Sequence, residues 1–215
     1  MNPVLEKIDP EKRDRIINAA LEEFSRSGYE LASTNRIVAK AGISKGLLFH
    51  YFTHKENLYA VMNEFSIELV VSTLKDNINW EETDFLKRVS QILQLKASLM
   101  EKYPFLYDFI RVSMQDVPMD KIMQSLPDDC QRMMDKIYTS NIDFSLFRPE
   151  INIGRALNII RWSLTGMSEE LWKNRKESVD FDTVFESYRQ YIDTLRTLFY
   201  KRKLQVQVGH LHSRN

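Results

Sequence analysis

The sequence predicts an all-α protein, with an N-terminal three-helix domain built around a helix-turn-helix and a larger helical domain behind it. Three observations lead there. Gly and Pro number six each in 215 residues, and so few turn-formers favour long helices over a many-stranded sheet. Apolar residues recur at three- and four-residue steps through most of the chain, the spacing of a helix face. Between Ser33 and Phe52 a short helical pattern, a glycine and a Ser-capped second helical pattern follow one another, the layout of a helix-turn-helix. Hydrophobic residues at 43% and charged residues at 28% fit a folded globular chain. The length allows one large domain or two modest ones. We place the boundaries at residues 1–55 for the N-terminal domain, 56–204 for the second and 205–215 for a flexible tail.

The elements follow in order. Residues 1–10 read as a lead-in. Asp9 can cap a helix that begins Pro10-Glu11, with proline at the first position and an acid in the first turn. Ile16, Ile17, Ala20, Leu21 and Phe24 give it an apolar face, and Gly28 ends it. Lys12, Arg13 and Arg15 lie on its exposed side, interleaved with Glu11 and Asp14, as on a solvated face. Ser33 or Thr34 caps the second helix, whose buried face is Ile37, Val38 and Ala41. Gly42 stands where a left-handed residue closes a helix. Ser44 then caps the third, and Leu47, Leu48, Phe49 and Phe52 include its packing face.

Charge singles out this stretch. From Ser33 to Lys55 the chain has Arg36, Lys40, Lys45 and Lys55 and no Asp or Glu, within a protein of formal net charge zero. A locally acid-free segment suggests a polyanionic partner. In a helix-turn-helix the N-terminal residues of the second helix meet base edges in the major groove. Lys45, Gly46 and Leu47 occupy that position. Gly46 would let the backbone approach closely, and Leu47 can touch a thymine methyl. Thr34 at a helix start, Arg36, Ser44, His50, Tyr51 and Lys55 are the remaining candidates for DNA contact, mostly to phosphate. His50 and His54 are four apart, but a helix break lies between them and no third ligand is near, so no metal is expected.

The run from Ile37 to Gly46, then Phe49-His50-Tyr51-Phe52, then Lys55-Glu56-Asn57-Leu58-Tyr59 resembles the signature of the TetR family of transcriptional regulators. The matching block covers roughly residues 11–60. It departs from that signature at Leu47-Leu48, where many members carry Thr or Ser followed by an apolar residue, and this bears on the operator sequence. The resemblance implies a ligand-responsive repressor that binds a palindromic operator in double-stranded DNA and is released by a hydrophobic small molecule. It also implies a homodimer paired through the last two long helices as a four-helix bundle.

Beyond the block, Thr53 and Glu56 read as a capping box for a fourth helix, running through Leu58, Val61, Met62, Phe65, Leu69 and Val70 toward Trp80. Glu81–Tyr103 follows, capped at Thr83, with Phe85, Leu86, Val89, Ile92, Leu93, Leu95 and Leu99 as its stripe. Pro104 ends it and opens 105–115. Residues 117–127 form a loop with one short helix, and Met133, Met134, Ile137 and Tyr138 mark the next helix. A break at 144–149 precedes two long helices, about 149–174 and 180–203. The second has an apolar stripe broad enough to pack in a core or against its own copy.

The middle of the chain is rich in aromatic and methionine side chains, which suit an adaptable apolar cavity. Phe65, Phe85, Tyr103, Phe109, Met114, Met134, Tyr138 and Trp162 are the candidate ligand-binding residues, with Arg111, Asp108 or Arg161 as a polar anchor. No Ser-His-Asp arrangement, glycine-rich phosphate loop or Cys/His metal spacing is present, so neither an enzyme nor a cofactor is expected. No apolar run approaches the ~20 residues of a membrane span, Met1–Lys7 lacks an apolar signal region, and the single Cys130 has no partner for an internal disulfide. A cytoplasmic protein without a membrane partner is the expectation.

Overall fold

A computed structural model describes residues 2–115, 128–173 and 181–202. The 116–127 segment, the side chains of Cys130 and Met134, and the tail expected at 205–215 lie outside that description. Among the described residues every regular element is helical, and no helix is long and apolar enough to cross a membrane.

The chain packs as two compact units, the first holding Met1–Glu81 with Gln91–Ser140 and the second Glu82–Ser90 with Asn141–Asn215. Packing gathers residues far beyond the boundary expected at residue 55 into the first unit.

In the first unit a short helix α1 (Pro3–Glu6) precedes α2 (Pro10–Leu31). Asp9 caps α2 as the sequence predicts, its Oδ1 accepting from the Lys12 amide at 3.1 Å. Gly28, at φ +65° and ψ +175°, breaks the helix where the sequence predicts, and a short further helical stretch runs on to Leu31 after the kink. Then come α3 (Thr34–Ala41), α4 (Lys45–Phe52) and α5 (Lys55–Asn77). Helix α5 starts one residue later than the capping box proposed. His54 is its cap, with Nδ1 accepting from the Asn57 amide at 3.1 Å, and Thr53 sits at φ +52° in the turn. Glu56 hydrogen-bonds Tyr29 instead of closing the box.

Helix α6 (Phe85–Lys102) begins at Asp84, whose Oδ1 accepts from the amides of Leu86 and Lys87. The cap is therefore Asp84 and not Thr83. Helices α7 (Leu106–Met114) and α8 (Asp128–Thr139) complete the first unit. Its main core is formed by Ile16, Ile17, Leu21 and Phe24 of α2, Ile37 and Ala41 of α3, Leu48 and Phe52 of α4, Leu58 and Met62 of α5, and Leu106 and Phe109 of α7. A second apolar cluster joins Leu74 and Ile78 of the α5 end, Ile92 of α6, and Met133 and Ile137 of α8.

In the second unit α9 (Ile153–Lys173) packs on α10 (Phe181–Phe199). Ser168 and Tyr188 hydroxyls lie 2.6 Å apart across that pair. A buried knot joins Asp84 to Arg196 (2.6 Å) and to the Tyr200 hydroxyl (2.9 Å).

Candidate nucleic-acid interface

The helix-turn-helix forms because three local devices agree. Gly42 closes α3 at φ +66°, ψ +41°, and the Ile43 amide donates to the Val38 carbonyl at 3.1 Å. Ser44 caps α4, its Oγ accepting from the Leu47 amide at 3.2 Å. Leu48 and Phe52 are fully buried and seat α4 on the core. At 100° per residue the opposite face of α4 must carry Gly46, Leu47 and His50. Ser44, Lys45, Gly46 and His50 are exposed, and Leu47 and Tyr51 are half-buried. The Lys45 ammonium lies 5.9 Å from the Phe49 ring centroid. The His50 and Tyr51 rings meet edge-on at 5.4 Å. Six of the nine candidate contacts thus lie on or beside one open surface of α4.

The other three stand differently. Arg36 is held by α2: its Nε donates to Glu23 Oε2 at 2.9 Å, and its Nη2 donates to Glu23 Oε1 at 2.5 Å and to the Leu31 carbonyl at 3.1 Å. Lys55 donates all three ammonium protons to carbonyls at the end of α2, those of Tyr29 (2.8 Å), Glu30 (3.2 Å) and Ala32 (3.3 Å). Both side chains therefore hold the motif together rather than standing free for phosphate, because the bend at Gly28 leaves carbonyls open that need donors. Thr34 is the first residue of α3, and the cap position belongs to Ser33.

Ser33 gives no side-chain cap. Glu23 of α2 takes that part, with Oε1 accepting from the Ser33 amide at 2.8 Å. Hydrogen bonding from Arg36 holds the Glu23 carboxyl below the usual carboxylate range; burial opposes this and the Ser33 amide reinforces it. Next to it, Glu22 pairs with Lys40 and with Arg26. Arg15 Nε donates to the Ala41 carbonyl at 3.1 Å and holds the other end of α3. The sequence reading missed Glu22, Glu23 and Arg15, since a charge count from 33 to 55 cannot see acids contributed by α2. Two of the four local cations are countered from there. Lys45 makes no ion pair or hydrogen bond among the described residues.

Met134 aside, the candidate ligand residues of the first unit do not share one cluster, and Phe65, Tyr103 and Phe109 belong to its main core. Phe109 is fully buried within 6.1 Å of the Phe24 ring and 5.5 Å of Tyr59, in the core beneath the helix-turn-helix. Tyr103 is buried against Phe65 (5.3 Å), and its hydroxyl donates to Asp14 at 2.9 Å. All three, Phe65 included, are buried in the main core of the first unit. Met114 is half-buried at the end of α7. Phe85 is buried and Trp162 is 62% exposed, both within the second unit. Tyr138 packs on the α5–α6–α8 cluster.

Comparison with known proteins agrees with this geometry. Residues 16–62 match the sequence profile described as bacterial regulatory proteins, tetR family. The HTH-type transcriptional regulator RutR of Escherichia coli (strain K12) is 30% identical over 93 residues, 43% of each chain. The HTH-type transcriptional repressor AcnR of Corynebacterium diphtheriae is 37% identical over 51 residues, 24% of this chain and 27% of that one. The chain thus spans under half the length of these curated relatives. In fold, a TetR family transcriptional regulator from Chloroflexus aurantiacus J-10-FL superposes with a TM-score of 0.59 at 21% identity, covering 92% of this chain and 97% of the other. The likeness in sequence is thus to the N-terminal helix-turn-helix segment described for the tetR family of bacterial regulatory proteins, and beyond residue 62 the likeness is one of fold.

Proposed function

We propose that the protein is a cytoplasmic, ligand-responsive transcriptional repressor that binds a palindromic operator as a homodimer. The observation that carries this reading is the seating of α4. Leu48 and Phe52 are buried to the last atom while Ser44, Lys45, Gly46 and His50 stay open. A helix held in that way offers its first turn and its Gly46–His50 face to a major groove. Lys45, Tyr51 and Thr34 take phosphates, and Leu47 meets a thymine methyl. One such helix reads few base pairs, and two-fold pairing doubles the contact. Ile159 and Trp162 of α9 with Tyr191 and Leu198 of α10 are large exposed apolar side chains. They are the surface we assign to the partner copy. That AcnR is named a repressor supports the sign of regulation. The effector is an apolar small molecule held beside the α5–α6–α8 cluster. It binds one separation of the two recognition helices better than the other and so shifts the population away from the operator.

The test is binding of the full chain to promoter duplex across a salt series. Affinity should fall steeply with salt, as phosphate contact demands. Lys45→Ala should weaken binding and make the salt slope shallower by about one, without loss of fold, since the Lys45 ammonium holds nothing in place. Binding equal to wild type at every salt concentration would contradict the assignment.

A further inference from the structure

In the sequence Asp14 is one acid among the charges at the start of α2, on what reads as a solvated face. In the structure its side chain is 27% exposed, and the end of α6 engages both carboxylate oxygens. The Tyr103 hydroxyl donates to Oδ1 at 2.9 Å, and the Lys102 ammonium lies 2.9 Å from Oδ2. Asn18, one turn further along α2, donates from Nδ2 to the Lys102 carbonyl at 3.2 Å, one of the carbonyls that a helix end leaves open. The Tyr103 ring is buried and meets Phe65 of α5 edge-on at 5.3 Å, which holds its hydroxyl on Asp14.

The next residue of α2 reaches another way. Arg15 Nε donates to the Ala41 carbonyl at 3.1 Å, and Ala41 is the last residue of α3, before the Gly42 turn that leads into α4. Two consecutive residues of one helix thus tie the end of α6 to the root of the recognition helix. The links from Tyr103, Lys102 and Arg15 are all charge-assisted, and such bonds are stronger than neutral ones. Glu82–Ser90, which includes the first residues of α6, counts with the second unit, and the clamped end of the helix with the first. The junction is also imperfect. Asn18 Oδ1 is buried there and accepts no hydrogen bond among the described residues, a cost that a second arrangement can remove.

We infer that Asp14 is a positioning residue for α4: its clamp on Lys102 and Tyr103 sets where the recognition helix stands, and with it the half-site spacing that the dimer accepts. This rests on the two-fold operator reading above and adds the contact that governs it.

Binding of the full chain to inverted-repeat duplexes tests it. The probes are the repeat selected from a random pool and versions with one base pair added to or removed from its centre. Wild type should prefer one spacing. Tyr103→Phe removes the hydroxyl and keeps the ring on Phe65, and Asp14→Asn removes the charge. Each should shrink the spacing preference by about fivefold or more, with the salt slope unchanged because no phosphate contact is lost. The double variant should fall no further than the weaker single one, as groups sharing one interaction do. Lys102→Met should act in the same direction and serves if another variant fails to fold. A preference that survives in the variants, even with a lowered melting temperature, or that wild type itself lacks, overturns the role of Asp14 and leaves the two-fold reading standing. If wild type binds no inverted repeat better than a single half-site, the two readings fall together.

Discussion

Glu23 shows how much a single side chain can hold in this fold. It caps α3 from a neighbouring helix and fixes Arg36 with the same carboxylate. Replacing it by Ala removes the cap, which costs about 1 kcal/mol as caps usually do. The dependence on pH has a definite sign. The folded-state pKa of Glu23 lies below its ordinary value of 4.5, so its contribution is complete above that value and is lost as pH falls through the lowered one. Denaturant unfolding of wild type and Glu23→Ala should differ by the full amount at neutral pH, and the difference should shrink toward pH 3. A gap that stays constant or widens on acidification would show that the carboxylate charge does not matter. Arg36 and Lys55 make the complementary point about charge. Both read as phosphate contacts in the sequence, and their partners on α2 were not legible there, because a lysine or arginine declares its partners only when distant segments are brought beside it.

At the scale of elements, Gly46 separates stability from binding. It lies within the helical range of α4, and a Cβ added there meets nothing within 4 Å. Gly46→Ala should therefore stabilise the protein by up to about 1 kcal/mol through helix propensity. The same methyl should weaken operator binding if the backbone approaches the duplex at that point. Thermal melts and gel shifts on one preparation check both signs, and a variant that is both more stable and equally tight would remove Gly46 from the contact. The helix-turn-helix itself was legible in the sequence because its determinants are local. Gly42, Ser44 and the apolar pair Leu48 and Phe52 all act within a few residues of where they stand. Ser33 holds its cap position without a side-chain bond, and His54 and Asp84 take the places read for Thr53 and Thr83. A hydroxyl near a helix start is a good candidate, but Glu23, His54 and Asp84 compete with it, and tertiary position decides between them.

Across the whole molecule, the N-terminal motif does not own its core. Leu106 and Phe109 of α7 are fully buried with Phe24 and Tyr59, so a fragment of residues 1–55 should not unfold cooperatively, as circular dichroism melts would reveal. Phe109→Ala in the full chain should cost about 3–5 kcal/mol, although residue 109 is far in sequence from the motif it supports. The aromatic richness of the middle region was visible from composition, but composition does not distinguish a cavity wall from a core. Three of the eight residues picked on that basis, Phe65, Tyr103 and Phe109, turn out to be packed in the core that the helix-turn-helix shares. The exposed apolar side chains of α9 and α10 carry the proposal of dimerisation, and Trp162→Glu should yield a monomer by light scattering together with a loss of operator affinity. A dimer that persists in that variant would move the interface elsewhere.

Selection of bound duplexes from a random DNA pool by the full chain tests the central claim most directly. Two copies of α4 presented by a two-fold pair predict an enriched inverted repeat, its half-sites separated by about one helical turn or a multiple of it. No enrichment, or enrichment of a single unrepeated element, would contradict it.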